Sequence, residues 1–151
     1  KYFSIIRISR VIFNEKNFED LIQDYIIKIK LNKNIVAATD QIFTPTFASE
    51  LDLLFKFLIK NQIIGIFNFA SNKIFSRYQF SKFLKKNLLI KKSIGMRVIK
   101  TKIKNFNFID NRPKNTSMNS NKIKLIFNHH NFDIKKRIIK ILKMRLKNEL
   151  L

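Results

Sequence analysis

Residues 40–48, Asp-Gln-Ile-Phe-Thr-Pro-Thr-Phe-Ala, constrain the chain more than any other stretch, because they carry several backbone instructions in a fixed order. The acidic and amide pair Asp40-Gln41 leaves a β-type run, and Thr44-Pro45-Thr46 makes a turn in which proline fixes φ and removes a donor. An apolar period runs from Leu51 to Ile59, the spacing of an amphipathic helix. Strand, turn and helix in this succession point to an α/β chain.

The rest of the sequence alternates in the same way. Residues 2–13 read as one buried strand with its exit loop. Asn14 or Asn17 is expected to cap a helix that packs through Phe18, Leu21, Ile22, Tyr25, Ile26 and Ile29, with Glu19 and Asp20 favourable in its first turn. Residues 34–38 form a short strand. Thr46 is the expected N-cap of a helix through Lys60 that packs by Phe47, Leu51, Leu54, Phe55 and Leu58. Residues 63–69 form another strand, and Ser76 with Gln79 makes a capping box for a helix to Asn87. Residues 96–103 read as a strand, 104–121 as polar and irregular, and Asp133 opens a terminal helix. No repeat or linker divides the chain, so residues 1–151 are expected to form a single domain.

Composition narrows the class. With 151 residues and 46% hydrophobic content the chain can bury one core, and its zero cysteines exclude disulfides, thiolate nucleophiles and cysteine zinc sites, as fits a cytoplasmic protein. Lys and Asn interrupt every apolar run, so no membrane span is expected. The formal charge of +21 leaves a basic nucleic-acid-binding module open. Against it, the lysines are spread along the chain, enriched only locally at 82–86, 91–92 and 135–147. Lys, Asn, Ile and Phe are over-used together while Gly and Pro number two each, the signature of AT-rich coding rather than of a binding face.

The segments resemble, in order, the dTDP-4-dehydrorhamnose reductases, extended short-chain dehydrogenase/reductases that act on nucleotide-linked sugars. Residues 40–47 resemble their D-Q-x-x-x-P-T-[YF]; Ile5-Ile6-Arg7-Ile8-Ser9-Arg10-Val11 resembles their last core strand, L-R-T-S-W-V. Gly65-Ile66-Phe67-Asn68-Phe69-Ala70-Ser71, with Tyr78-Gln79-Phe80 after it, resembles G-I-Y-H-L-S-G and W-Y-E-F. Asn111-Arg112-Pro113-Lys114-Asn115-Thr116 resembles R-R-P-x-N-S. The resemblance implies the C-terminal portion of an NAD(P)-binding Rossmann-type fold: its last core strands plus a small α/β substrate-binding subdomain. The family's glycine-rich turn, which brings backbone to the pyrophosphate, finds no counterpart in the widely separated Gly65 and Gly95. The expectation is therefore a fragment whose N-terminal Rossmann half is absent. In such a fragment the strand over residues 5–11 loses its sheet neighbours and leaves an apolar, unpaired edge.

For function, the resemblance implies the substrate-binding half of a reductase that passes a hydride from NAD(P)H to a 4-keto sugar on a nucleotide diphosphate. It assigns the catalytic Tyr and Lys to the absent half, and NAD(P)H to the parent protein rather than to this chain. The implied partners are a nucleotide-diphosphate sugar and that Rossmann half, with a homo-oligomer open. A non-catalytic relative, like the regulatory β-subunit of methionine adenosyltransferase, is the alternative, because Arg10 stands where the family often has an aromatic.

Candidate substrate contacts are Arg7, Ser9, Arg10, Gln41, Thr44, Arg112 and Asn115, with Arg112 matching an arginine that faces the diphosphate in related extended enzymes. A guanidinium fork suits paired phosphate oxygens. Asn115 and Thr116 also suit side-chain bonds that hold their loop. Tyr78 and Lys82 satisfy Tyr-x-x-x-Lys, yet they fall on a helix downstream of the Thr-Pro-Thr turn, so Tyr78 is expected to pack and Lys82 to point elsewhere. No catalytic residue and no metal site is assigned, and His129-His130 reads as surface loop.

Overall fold

A computed structural model describes residues 3–14, 20–87, 95–127 and 133–147. The strand expected over 2–13 divides at Ser9 into β1 (Ser4–Ile8) and β2 (Arg10–Ile12), which take different partners. β1 runs parallel to β6 (Gly65–Phe69), with Ser4 opposite Gly65 and Ile8 opposite Phe69. β2 runs parallel to β5 (Pro45–Phe47), with Val11 opposite Thr46. The chain changes ladder again at Thr44. Just before it, β4 (Ile42–Phe43) pairs antiparallel with β7 (Phe75–Ser76) and parallel with β9 (Asn115–Thr116). A further parallel ladder joins β3 (Ile35–Ala38) to β8 (Val98–Thr101).

The helices follow the apolar periods, but two caps differ from expectation. Asp20, not Asn14 or Asn17, caps α1 (Leu21–Lys30): its Oδ1 accepts from the Ile22 and Gln23 amides at 2.9 and 3.0 Å. A carboxylate at this position satisfies orphan donors and faces the positive end of the dipole. Asn17, Phe18 and Glu19 lie outside the described residues. Leu21, Ile22, Tyr25, Ile26 and Ile29 are buried as the period requires. Thr46 does not cap α2 (Ala48–Lys60); it is buried in β5 and its Oγ1 donates to the Phe69 carbonyl at 3.3 Å, while Phe47 takes the cap position without a side-chain bond. A strand partner for residues 45–47 outcompetes the local cap. Leu54 and Leu58 are buried, whereas Phe55 is 46% exposed, on the outer face.

The capping box of α3 (Arg77–Asn87) is formed in both directions, Gln79 amide to Ser76 Oγ at 3.1 Å and Ser76 amide to Gln79 Oε1 at 2.8 Å. Residues 96–103 form a strand only over β8, and Ile103 starts a 3-10 turn instead. The polar run after it contains β9, a strand recruited by β4 rather than by its own propensity, and ends at the short α4 (Asn121–Lys124). Asp133 caps α5 (Ile134–Lys147) through the Lys135 and Lys136 amides.

Two cores result. The larger gathers α1, β3, α3 and α5 around Ile26, Phe43, Phe80, Leu84 and Leu142; the smaller sets Leu54 and Leu58 on Phe67, Phe69 and Ile123. Each fully buried aliphatic or Phe side chain contributes about 1.5–3 kcal/mol. The β1/β6 ladder is covered on one side only: Ile5, Ile8 and Ile66 remain 43%, 39% and 46% exposed. Among the described residues the free edge of β1 has no strand partner. The strand expected to lose its sheet neighbours thus keeps β6 beside β1 and β5 beside β2.

Candidate functional site

The two points where the chain changes ladder, Ser9 and Thr44, are neighbours. The Thr44 amide donates to Ser9 Oγ at 3.4 Å, and that hydroxyl donates to the Thr116 carbonyl at 2.7 Å. Strands that part company leave a crevice beyond their ends, the usual seat of ligands in open parallel sheets. Here it is a cavity of about 340 Å³. Ile8, Ser9, Arg10 and Val11 line it from the first strands, Gln41 and Phe43 from β4 and the residue before it, Arg77 from α3, and Arg112, Pro113 and Thr116 from the polar loop. Phe43 is braced from behind by Phe80, ring centroids 5.5 Å apart, and Phe80 by Phe75 at the same distance.

Three guanidinium groups converge on this cavity. Arg112 is carried by a loop that β9 pins to β4: the Ile42 amide donates to the Lys114 carbonyl at 2.7 Å and Thr116 Oγ1 donates to the Ile42 carbonyl at 3.2 Å. The Arg112 guanidinium lies over the Phe108 ring at 4.4 Å, and Phe108 stacks on Phe106 with an interplanar angle of 16°. Stacking fixes the plane of the guanidinium and leaves its edge donors available. Loss of water lowers the Arg10 pKa although Arg10 is exposed overall; Arg112 lowers it further, with Asp20 and Asp24 opposing. Burial lowers the Arg77 pKa to about 10, with Arg10 and Arg112 adding and Asp24 opposing. Arg10 and Arg77 nonetheless stay cationic at neutral pH. Among the described residues no carboxylate lines the cavity.

Of the residues expected at the site, Ser9, Arg10, Gln41 and Arg112 come together here. Thr44 is 1% exposed and holds the loop, its Oγ1 accepting from the Met118 amide at 3.2 Å. Asn115 spends its Oδ1 on the Ser117 amide at 2.9 Å and the Ser117 hydroxyl at 2.7 Å, and Arg7 lies exposed on β1 opposite Asn68, away from the lining. Arg77 is the lining residue that the sequence motifs do not single out. One signal for it is local: a cation in the first turn of a helix opposes the dipole and gives the fold nothing.

Tyr78 packs against the larger core as expected. Lys82 does not point elsewhere: its Nζ sits 5.6 Å from the Tyr78 ring centroid, over the face, because residues four apart on a helix are neighbours. Neither lines the crevice. His129-His130 lies outside the described residues. Neither glycine opens a helix: Gly65 begins β6 with φ 143°, and Gly95 stands shortly before β8. Among the described residues, therefore, neither glycine forms a turn against a helix N-terminus.

Parallel ladders, intervening helices and a crevice where strands diverge define an α/β protein of the Rossmann-type extended short-chain dehydrogenase/reductase fold. Residues 1–146 match the RmlD substrate binding domain, and the chain belongs to that family. Among solved structures it is similar to dTDP-4-dehydrorhamnose reductase from Yersinia enterocolitica, with a TM-score of 0.80 and 20% identity over 94% of this chain and 49% of that one. It is also similar to the dTDP-4-dehydrorhamnose reductase from Bacillus anthracis in complex with NADP, with a TM-score of 0.75 and 18% identity over 93% and 48%. The dTDP-glucose 4,6-dehydratase of Bacillus anthracis in complex with NAD gives 0.72 and 14% over 97% and 45%. The chain thus spans about half the length of these enzymes. No curated protein matches it.

Proposed function

We propose that the crevice is the sugar-nucleotide site of an NAD(P)H-dependent reductase of 4-keto nucleotide sugars, and that residues 1–151 are its substrate-binding domain. The observation that carries this reading is the meeting of Arg112, held flat on Phe108, with Arg10, Ser9 and Gln41 in one cavity without an acid among its described lining. A diphosphate presents two adjacent anionic groups to such a set, and a charge-assisted contact of this kind contributes roughly 1.5–3 kcal/mol. In this reading Ser9 and Gln41 meet sugar hydroxyls, Ser9 as an acceptor because its own proton goes to the Thr116 carbonyl.

The reading gives this chain a positioning role. A nucleotide-binding half would add strands at the free edge of β1 and cover Ile5, Ile8 and Ile66, since parallel sheets are buried on both faces. The dinucleotide and the proton-delivering Tyr and Lys belong to that half. Arg112→Ala in the complete protein is expected to weaken nucleotide-sugar binding by about ten- to a hundredfold and leave NAD(P)H affinity unchanged. Arg112→Lys recovers only part, because a point charge makes no fork. Calorimetric titration of both ligands reads the outcome, and equal loss for both would withdraw the diphosphate assignment.

A further inference from the structure

Resting on that reading, we propose that the sugar taken by this crevice is itself acidic: a carboxylate on the nucleotide-linked sugar is recognised by Arg77. A nucleotide sugar's diphosphate brings two negative charges, whereas three guanidinium groups line the cavity. The charges around them do not close that gap. Among the described residues none of Arg10, Arg77 and Arg112 forms an ion pair, and the nearby acids are taken: Asp20 is committed to Arg145 at 2.8 Å, and Asp24 to Lys28 at 3.0 Å. The remaining lining groups, Ser9, Gln41, Thr116 and Phe43 among them, are neutral.

Arg77 is the member that needs an anion most. Its Nη1 is buried without a hydrogen-bond partner, and a buried cationic donor left unmatched is costly to the fold. Its position is fixed: the Arg77 amide donates to the Gln41 carbonyl at 2.9 Å, and the capping box sets the start of α3. A neutral hydroxyl meets one donor of such a group, whereas a carboxylate meets the fork and the charge.

The test uses the complete protein and two pairs of probes, UDP-glucose with UDP-glucuronate and their thymidine counterparts, titrated at low and at physiological salt. The uronate of a pair is expected to bind about tenfold or more tightly than the hexose, with the preference shrinking at high salt. Arg77→Met should erase the preference of uronate over hexose, and Arg77→Lys should keep part of it. Equal binding of hexose and uronate by the unmodified protein would overturn the inference and leave the sugar-nucleotide reading standing. Absence of binding by every probe would overturn both, and each of these outcomes is read on the unmodified protein, whatever the variants' folding.

Discussion

In the larger core, Arg145 is 0% exposed and both its Nη1 and Nη2 reach the Asp20 carboxylate at 2.8 Å, with Nη2 also donating to the Phe13 carbonyl at 2.6 Å. In the crevice, Arg10, Arg77 and Arg112 share a cavity with no acid among its described lining. The same side chain is used in two opposite ways. The first ties the last helix to the cap of α1; the second concentrates charge that the fold leaves unmatched. A buried pair that is broken strands its partner, whereas an unmatched cation can be removed at no loss to the fold.

The largest expected effect tests the first half of that contrast. Arg145→Met should destabilise the chain by about 3–5 kcal/mol, because Asp20 would stay buried without its counter-ion, read as a shift of the urea midpoint at constant slope. A small shift would say that the pair is ornamental. An intermediate case sharpens the scale. Arg137 Nη1 meets Glu50 Oε1 at 2.6 Å and the guanidinium lies 4.4 Å over the Phe47 ring, with the two side chains 19% and 11% exposed. Glu50→Ala should cost roughly 1.5–3 kcal/mol, less than the fully buried pair and more than a surface one.

What the sequence discloses tracks the range of the interactions. The α1 face from Leu21 to Ile29, the Leu54 and Leu58 side of α2, the Ser76-Gln79 capping box and the Asp133 cap are set by residues within one or two helical turns and are in the structure, whereas Phe55 turns outward. The Arg145–Asp20 pair spans 125 positions and leaves no local pattern. Asp20 reads locally as a first-turn charge, because its value as a cap lies partly in that distant arginine. Thr46 carries a cap signal that β2 overrides by pairing. At the site, the Arg112 loop and Gln41 are legible through ordered motifs, whereas Arg77 joins them only through the pairing of β4 with β7 that brings the start of α3 to the cavity.

Charge on Arg77 bears on the other half of the contrast. Its folded pKa, lowered by burial to about 10, lies below that of an ordinary arginine, so the unfolded chain holds that proton more tightly, and the charged form costs the fold free energy at pH values below about 10. The most direct test of the account is therefore a paired measurement on Arg10→Met and Arg112→Met in the complete protein: denaturation midpoint and nucleotide-sugar affinity on the same samples. Stability should be unchanged within about 0.5 kcal/mol or raised, while affinity falls by about tenfold or more. A loss of stability approaching that of Arg145→Met, with affinity intact, would show that the crevice arginines serve the fold and would contradict the ligand-binding role assigned to them.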